Sequence, residues 1–266
     1  MLKRLLLLGF VFSFGYAMVL AVPAKRIISL SPSLTKNLQY LGDEQELVGC
    51  TSYCKTTRKV NVVATAVKVN VEKVVSLKPD LVVASSMTPP ETVAQLKKFG
   101  IQVVMFPMPK SYAEICSQFR QLSRLVGREA VANKVLQSVQ QRIDRVKARK
   151  ADGRKIFIQL GVDPLFAVIP NTFLNDYITL AGGRNIAEGM RTGSITREAV
   201  LLKNPSVIFI VTMGNIDREE KQRWEKFSNL EAVRTKKVIV IDSNMACVPT
   251  PVTFAETQEL MMKALK

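Results

Sequence analysis

The chain contains no histidine in its 266 residues. That absence removes the commonest side-chain general base and the commonest metal ligand. A Ser-His or Cys-His catalytic pair cannot be assembled, and metal sites that lean on imidazole are excluded with it. The glycine loops that cradle phosphates are missing too: neither Gly-x-Gly-x-x-Gly nor Gly-x-x-x-x-Gly-Lys-Ser/Thr occurs. Tryptophan occurs once, at Trp224. Cysteine occurs four times, at Cys50, Cys54, Cys116 and Cys247, too sparsely for a disulfide scaffold. Only the N-terminal stretch has an apolar run approaching the length of a membrane span.

That stretch has a form of its own. Lys3 and Arg4 precede an apolar run from Leu5 to Ala21, with small residues at Ala17 and Ala21. A charged start, an apolar middle and an alanine-ending site describe a secretory signal peptide over residues 1–21, with an uncleaved anchor as the alternative. No cysteine follows the run, which argues against a lipid-modified N-terminus. Export makes disulfides permissible. The net charge is +16, and without Lys3 and Arg4 it is 16 − 2 = +14. The cations are scattered without an arginine-rich block, so a solvated basic surface is expected rather than a nucleic-acid interface.

Past residue 21 the pattern alternates. Short β-branched runs such as Leu81–Ala84 and Gln102–Phe106 alternate with amphipathic segments such as Glu91–Phe99 and Tyr112–Val126. Strand-helix alternation predicts a parallel α/β sheet. Ser111 with Glu114 forms a capping box at the start of one helix. From Arg128 to Lys150, Val131, Val135, Val139, Ile143 and Val146 fall on one stripe of a long helix that has no Gly or Pro and stops near Asp152-Gly153. The alternation then restarts with Lys155–Leu160, Ser206–Val211 and Lys237–Asp242. Thr250 before Pro251 predicts an N-cap with Pro at the first helical position. The expected architecture is α/β: a lobe over residues 22–126, a linking helix over 127–152 and a second lobe over 153–266. Two lobes joined by a rigid helix imply a cleft.

Ligands of open parallel sheets gather beyond the carboxyl ends of the strands. Those ends include Thr51–Thr57, Ser85–Thr88, Pro107–Pro109, Gly161–Asp163 and Ser243–Pro249, a set rich in hydroxyls, methionine and proline and poor in charge. An enzyme on this frame would need Asp163 or Asp242 as acid or base. Tyr53, Cys54, Met87, Met108, Met213, Met245 and Cys247 could serve a soft metal, although methionines near strand ends ordinarily pack. The expectation is no catalytic residue, no metal site and no cofactor. Cys54 and Cys247 could face each other across the cleft, and a local Cys50–Cys54 pair is the alternative.

Several motifs carry a family resemblance: RIISLSPSLT from Arg26 to Thr35, LVGCTSYC from Leu47 to Cys54, and VEKVVSLKPDLVV from Val71 to Val83. GIQVV from Gly100, GGRNIA from Gly182 and WEKFSNLEAV from Trp224 continue it. Their order and spacing resemble the periplasmic substrate-binding proteins of ABC importers for iron-siderophores, haem and cobalamin, over about residues 25–265. The resemblance implies the class III periplasmic binding protein fold. It also implies a monomer that captures an iron chelate or a corrinoid between its lobes and delivers it to an inner-membrane permease. It implies a docking glutamate on each lobe, Glu72 and Glu198. It places Tyr53 at the ligand, with the Asn244–Pro249 loop on the far side of the cleft. Ligand contacts are accordingly expected from Tyr53, Cys54, Ser85, Met108, Asn244 and Cys247. The chain departs from the family in two respects. Ala66 and Ser85 stand where some members carry stacking tryptophans. The run CVPTPV from Cys247 to Val252 lacks the arginines that many members place before the last helix.

Overall fold

The computed structural model describes residues 22–65, 68–148, 153–212 and 216–265. The expected signal peptide, Ala66, Met213 and Asp152 therefore lie outside the described residues. The first half runs β1 (Ile27–Ser29), α1 (Pro32–Tyr40), β2 (Leu47–Thr51), β3 (Asn61–Ala64), α2 (Val71–Ser76), β4 (Leu81–Ser85), α3 (Pro90–Lys98), β5 (Val103–Phe106) and α4 (Tyr112–Leu125). The long helix α5 spans Glu129–Lys147. Next come β6 (Lys155–Leu160), β7 (Phe166–Ala167), α6 (Phe173–Leu180), β8 (Arg184–Asn185), α7 (Arg197–Lys203), β9 (Val207–Thr212) and α8 (Ile216–Glu225). The chain ends with α9 (Glu231–Arg234), β10 (Val238–Asp242), α10 (Ser243–Ala246) and α11 (Pro251–Leu265).

The first sheet has the order β3-β2-β1-β4-β5, and every pairing is parallel. Its strands Ile27–Ser29 and Leu81–Ala84 are buried on both faces, as continuous apolar runs in a helix-covered parallel sheet must be. The order reverses about β1, so β2 and β4 leave it on opposite sides and a crevice opens at their carboxyl ends. The second sheet has the order β10-β9-β6-β7. β9 is parallel to β10 and β6, β7 is antiparallel to β6, and β8 pairs with the first residues of β6.

The predicted caps form. Ser111 Oγ accepts from the Glu114 N–H at 3.1 Å. Glu114 Oε2 reaches back one residue further than a capping box requires, accepting from the Lys110 N–H at 2.7 Å. Thr250 Oγ1 accepts from the Thr253 N–H at 3.1 Å, with Pro251 as the first residue of α11.

Helix α5 differs from its predicted stripe in a way that explains its role. Val131 and Val135 are only half-buried, and the buried residues are Ala132, Leu136, Val139, Ile143 and Val146. Ala132 and Leu136 belong to the core under the first sheet, while Val139, Ile143 and Val146 belong to the core of the second. One rigid helix is thus embedded in both halves. Arg142 pairs through two nitrogens with the Glu259 carboxylate of α11 at 2.9 and 2.8 Å. A further tie crosses between the halves: the Tyr112 N–H of α4 donates to Asp176 Oδ2 of α6 at 2.7 Å.

Candidate functional site

Two cavities lie side by side where the carboxyl ends of the two sheets meet, and both are lined by Pro32 and Val248. The first, ≈ 340 Å³, is walled by Lys36, Tyr40, Tyr53 and Lys55 from the first half and by Asp242, Asn244, Met245 and Glu256 from the second. The second, ≈ 170 Å³, is walled by Ser31, Ser33, Ser85, Met87, Met108 and Cys247 among others. A wider groove of ≈ 780 Å³ is lined by residues 62–65 and 68–73, and all of its described lining comes from the first half.

Among the described residues, the first cavity holds two cations, Lys36 and Lys55, and two carboxylates, Asp242 and Glu256, so this lining is charge-balanced. None of the described residues that line the second cavity is charged. Pro32, Lys36 and Tyr40 recur every fourth residue on α1 and so form one face of that helix. The Lys36 ammonium lies 5.4 Å from the centre of the Tyr40 ring. Burial pushes the Tyr40 phenol up to about 12, and the Glu256 charge adds to the rise, so Tyr40 stays a neutral hydrogen-bonding group. Asp242 caps α10: its Oδ1 accepts from the Asn244 N–H at 2.8 Å and from Asn244 Nδ2 at 2.9 Å.

The loop TSYCKTT is held in place from several sides. The Ser52 N–H donates to the Ala64 carbonyl at 2.8 Å, and Gln39 Nε2 of α1 donates to the Lys55 carbonyl at 2.8 Å. Tyr53 is 64% exposed and lines the first cavity. Cys54 turns the other way, packing against the core that contains Leu34 and Leu38. Its Sγ takes a hydrogen bond from the Thr35 hydroxyl at 3.1 Å and lies 3.2 Å from the Thr51 hydroxyl. A hydrogen bond from the Cys50 thiol holds Cys54 below the ordinary thiol range, against the effect of its burial, and the two hydroxyls act in the same direction as Cys50.

Tyr53 and Asn244 therefore sit in the first cavity, and Ser85, Met108 and Cys247 in the second. Cys54, expected at the ligand, lines neither cavity, and its partners are within the first half. All four cysteines are free thiols, so neither a Cys54–Cys247 bridge nor a Cys50–Cys54 disulfide is formed. Asp163 is exposed and lines neither cavity. Lys36, Tyr40, Lys55 and Glu256 were not among the expected contacts; the i, i+4 spacing of Pro32, Lys36 and Tyr40, directly after β1, is the signal that could have found three residues of this face.

Glu72 and Glu198 lie away from the cleft. Each is exposed and is the second residue of a short helix whose N-cap side chain accepts a backbone N–H. Asn70 accepts from Lys73 at 2.9 Å, and Thr196 accepts from Ala199 at 3.2 Å.

Two sheets bridged by one helix, with their strand ends closing on a shared cleft, define a bilobal ligand-binding protein. Comparison with known proteins assigns it further. The model of the periplasmic binding protein family matches residues 27–245, and the chain belongs to that family. It is 30% identical over 250 residues to an uncharacterized ABC transporter substrate-binding lipoprotein of Bacillus subtilis, YvrC, covering 89% of this chain and 78% of that one. It is 26% identical over 265 residues to a vitamin B12-binding protein of Vibrio cholerae, covering 97% and 95%. Among solved structures, the periplasmic vitamin B12-binding protein BtuF of Vibrio cholerae superposes with a TM-score of 0.76 at 26% identity, covering 91% of this chain and 97% of that one. A periplasmic haem-binding protein from Pseudomonas aeruginosa shares the fold, with a TM-score of 0.79 at 19% identity and coverage of 91% and 92%. The chain has the fold of class III periplasmic binding proteins.

Proposed function

We propose that this protein is the exported substrate-binding component of an ABC importer, and that it captures a corrinoid between its lobes and hands it to an inner-membrane permease. The observation that carries the reading is the charge balance of the cleft. Lys36 and Lys55 are offset by Asp242 and Glu256, and the second cavity adds no charge. A strongly anionic siderophore or the propionates of haem would seek an excess of cations. A large cargo with little net charge, apolar surface and peripheral amides suits such a lining better, because shape and a few hydrogen bonds suffice to hold it. The similarity to vitamin B12-binding proteins supports the same cargo.

The alternative of an exported enzyme would rest on Asp163 or Asp242. Asp163 stands outside both cavities, and Asp242 is engaged as a helix cap, so the binding reading is the better supported. Titration calorimetry of the purified protein with cyanocobalamin, a ferric hydroxamate siderophore and haemin tests the cargo. Saturable one-to-one binding of the corrinoid in preference to the other two is expected. Preference for either anionic chelate would overturn the charge argument.

A further inference from the structure

The sulfur atoms of the cleft are sorted between its two cavities. Met245 lines the first, whereas Met87, Met108 and Cys247 line the second. The three come from separate segments: the turn after β4, the segment after β5, and the residue that ends α10. Met87 and Met108 are 77% and 50% exposed, so neither thioether is used up in packing. Cys247 is a free thiol that lines the same cavity as the two thioethers. The surrounding walls are proline, Leu34, Phe106, Val248, three serines and Gln118, without a single charge among the described residues.

We propose that this second cavity is a binding site for a soft monovalent cation of the Cu(I) class, held by Cys247 Sγ together with the thioethers of Met87 and Met108. Thiolate and thioether donors select Cu(I) over hard cations. Charge selects in the same direction. One thiolate neutralises one monovalent cation, whereas a divalent ion would leave net charge among walls without a counter-charge. Among the described residues no group of three Cys, Asp or Glu forms a competing site for harder metals. Binding breaks the Cys247 S–H bond, sends the proton to solvent and forms an S–metal bond without any change of oxidation state. The site lies in the same cleft that the importer reading gives to the cargo, but it uses only these three side chains, and the metal titration is made without cargo, so its failure leaves that reading untouched.

The test is an anaerobic titration of the purified, reduced full chain with Cu(I) in competition with bicinchoninate, with Ag(I) as a redox-inert second probe followed by native mass spectrometry. One equivalent should be retained against the chelator, and its affinity should rise about tenfold per pH unit, as release of one proton requires. Cys247→Ser should weaken binding on the order of 100-fold, and the pair Met87→Leu with Met108→Leu on the order of 10-fold, as loss of ligands does. All three side chains project into the cleft, so thermal unfolding of the apo variants should match the parent, and that match separates lost ligands from lost fold. Retention of Cu(I) by Cys247→Ser at parental affinity would assign the metal to another thiol and overturn the proposal. An affinity indifferent to both leucine substitutions would overturn it equally, since a lone thiol would then be the only donor. Failure to hold Cu(I) against bicinchoninate would end it outright.

Discussion

Arg197 and the fully buried Glu220 are joined at 2.9 Å, Nη2 to Oε1, across the gap between α7 and α8. The same guanidinium lies 4.3 Å over the Trp224 ring. Gln159, next to the last residue of β6, donates to Glu220 Oε1 at 2.8 Å and accepts the Trp224 indole N–H at 2.7 Å. The only tryptophan is therefore part of a buried polar network. This network fixes the first turn of α7, from which the neighbouring Glu198 projects.

Truncating one partner of such a pair strands the other. Arg197→Met is expected to lower unfolding free energy by about 3–5 kcal/mol, because it leaves a buried carboxylate without its main counter-charge. Arg223, whose Nη1 lies 3.6 Å from Glu220 Oε2, can offset part of that loss. Adding Glu220→Gln should recover most of the stability, since the stranded charge is then gone. Urea unfolding of the two single variants and the double variant measures the coupling. Additive losses would mean that the two residues do not act as a pair.

The legibility of the fold followed burial. Lys155–Leu160, Ser206–Val211 and Lys237–Asp242 read as strands because a helix-covered parallel sheet demands continuous β-branched runs. Asn61–Ala64 did not, since this edge strand is four residues long and its first two are exposed. The helix stripe was read one residue off in its first half, where Ala132 and Leu136 rather than Val131 and Val135 are buried. Valine outranks alanine in any apolar count, and only the position of the first core decides between them. That Tyr53 and Asn244 line the cleft was legible from strand ends. That Lys36 and Glu256 do so was not, because a charged residue facing a cleft from a helix has the same local sequence as one facing water. The direction of the Cys54 thiol was illegible for a related reason: its neighbour Tyr53 lines the cleft, while the thiol bonds inward to Thr35.

Asp176 is the acceptor in the backbone tie between α4 and α6. Burial raises its pKa; the Tyr112 N–H opposes that shift and the Glu114 charge adds to it. A carboxyl with a raised folded pKa favours the fold in its protonated form. Its contribution is fully present below the ordinary value of 3.8 and fades as pH climbs through the folded value. Asp176→Asn keeps an acceptor for Tyr112 and removes the charge. It should match the parent in acid and equal or exceed it at neutral pH, as thermal unfolding across pH 3–7 would report. A variant less stable than the parent at pH 7 would show that the charge itself holds the helices together.

The thiols should separate by reactivity. Cys54 is held below the ordinary thiol range by the Cys50 thiol donating to it, with Thr35 and Thr51 assisting, whereas burial pushes Cys247 up to about 11. The thiolate is the reactive form. Iodoacetamide at neutral pH should label Cys54 ahead of Cys247, and labelling of Cys54 should fall away at a lower pH than for an ordinary thiol. The lowered pKa also implies that Cys54 contributes stability above the ordinary thiol pKa and that this is lost as pH falls through the folded value. Thr35→Val removes one donor and should move the labelling profile upward. Peptide mapping by mass spectrometry reads these rates, and equal labelling of Cys54 and Cys247 across pH would contradict the hydrogen-bond account.

Glu72 and Glu198 occupy matching places, each second in a short capped helix and each free of the cleft linings. For Glu198 its own backbone N–H and the Thr196 hydroxyl hold the carboxyl below its ordinary value. We propose that these two carboxylates, one on each half of the chain, meet cations on a permease. Reversing both, Glu72→Lys with Glu198→Lys, should leave the ligand Kd unchanged and remove transport into vesicles bearing the permease. Each single reversal should give partial transport, since one lobe still docks. Transport surviving the double reversal would refute docking through these glutamates. A weakened ligand Kd would instead show that the two helix starts communicate with the cleft, which the separation of their contacts from both cavities argues against.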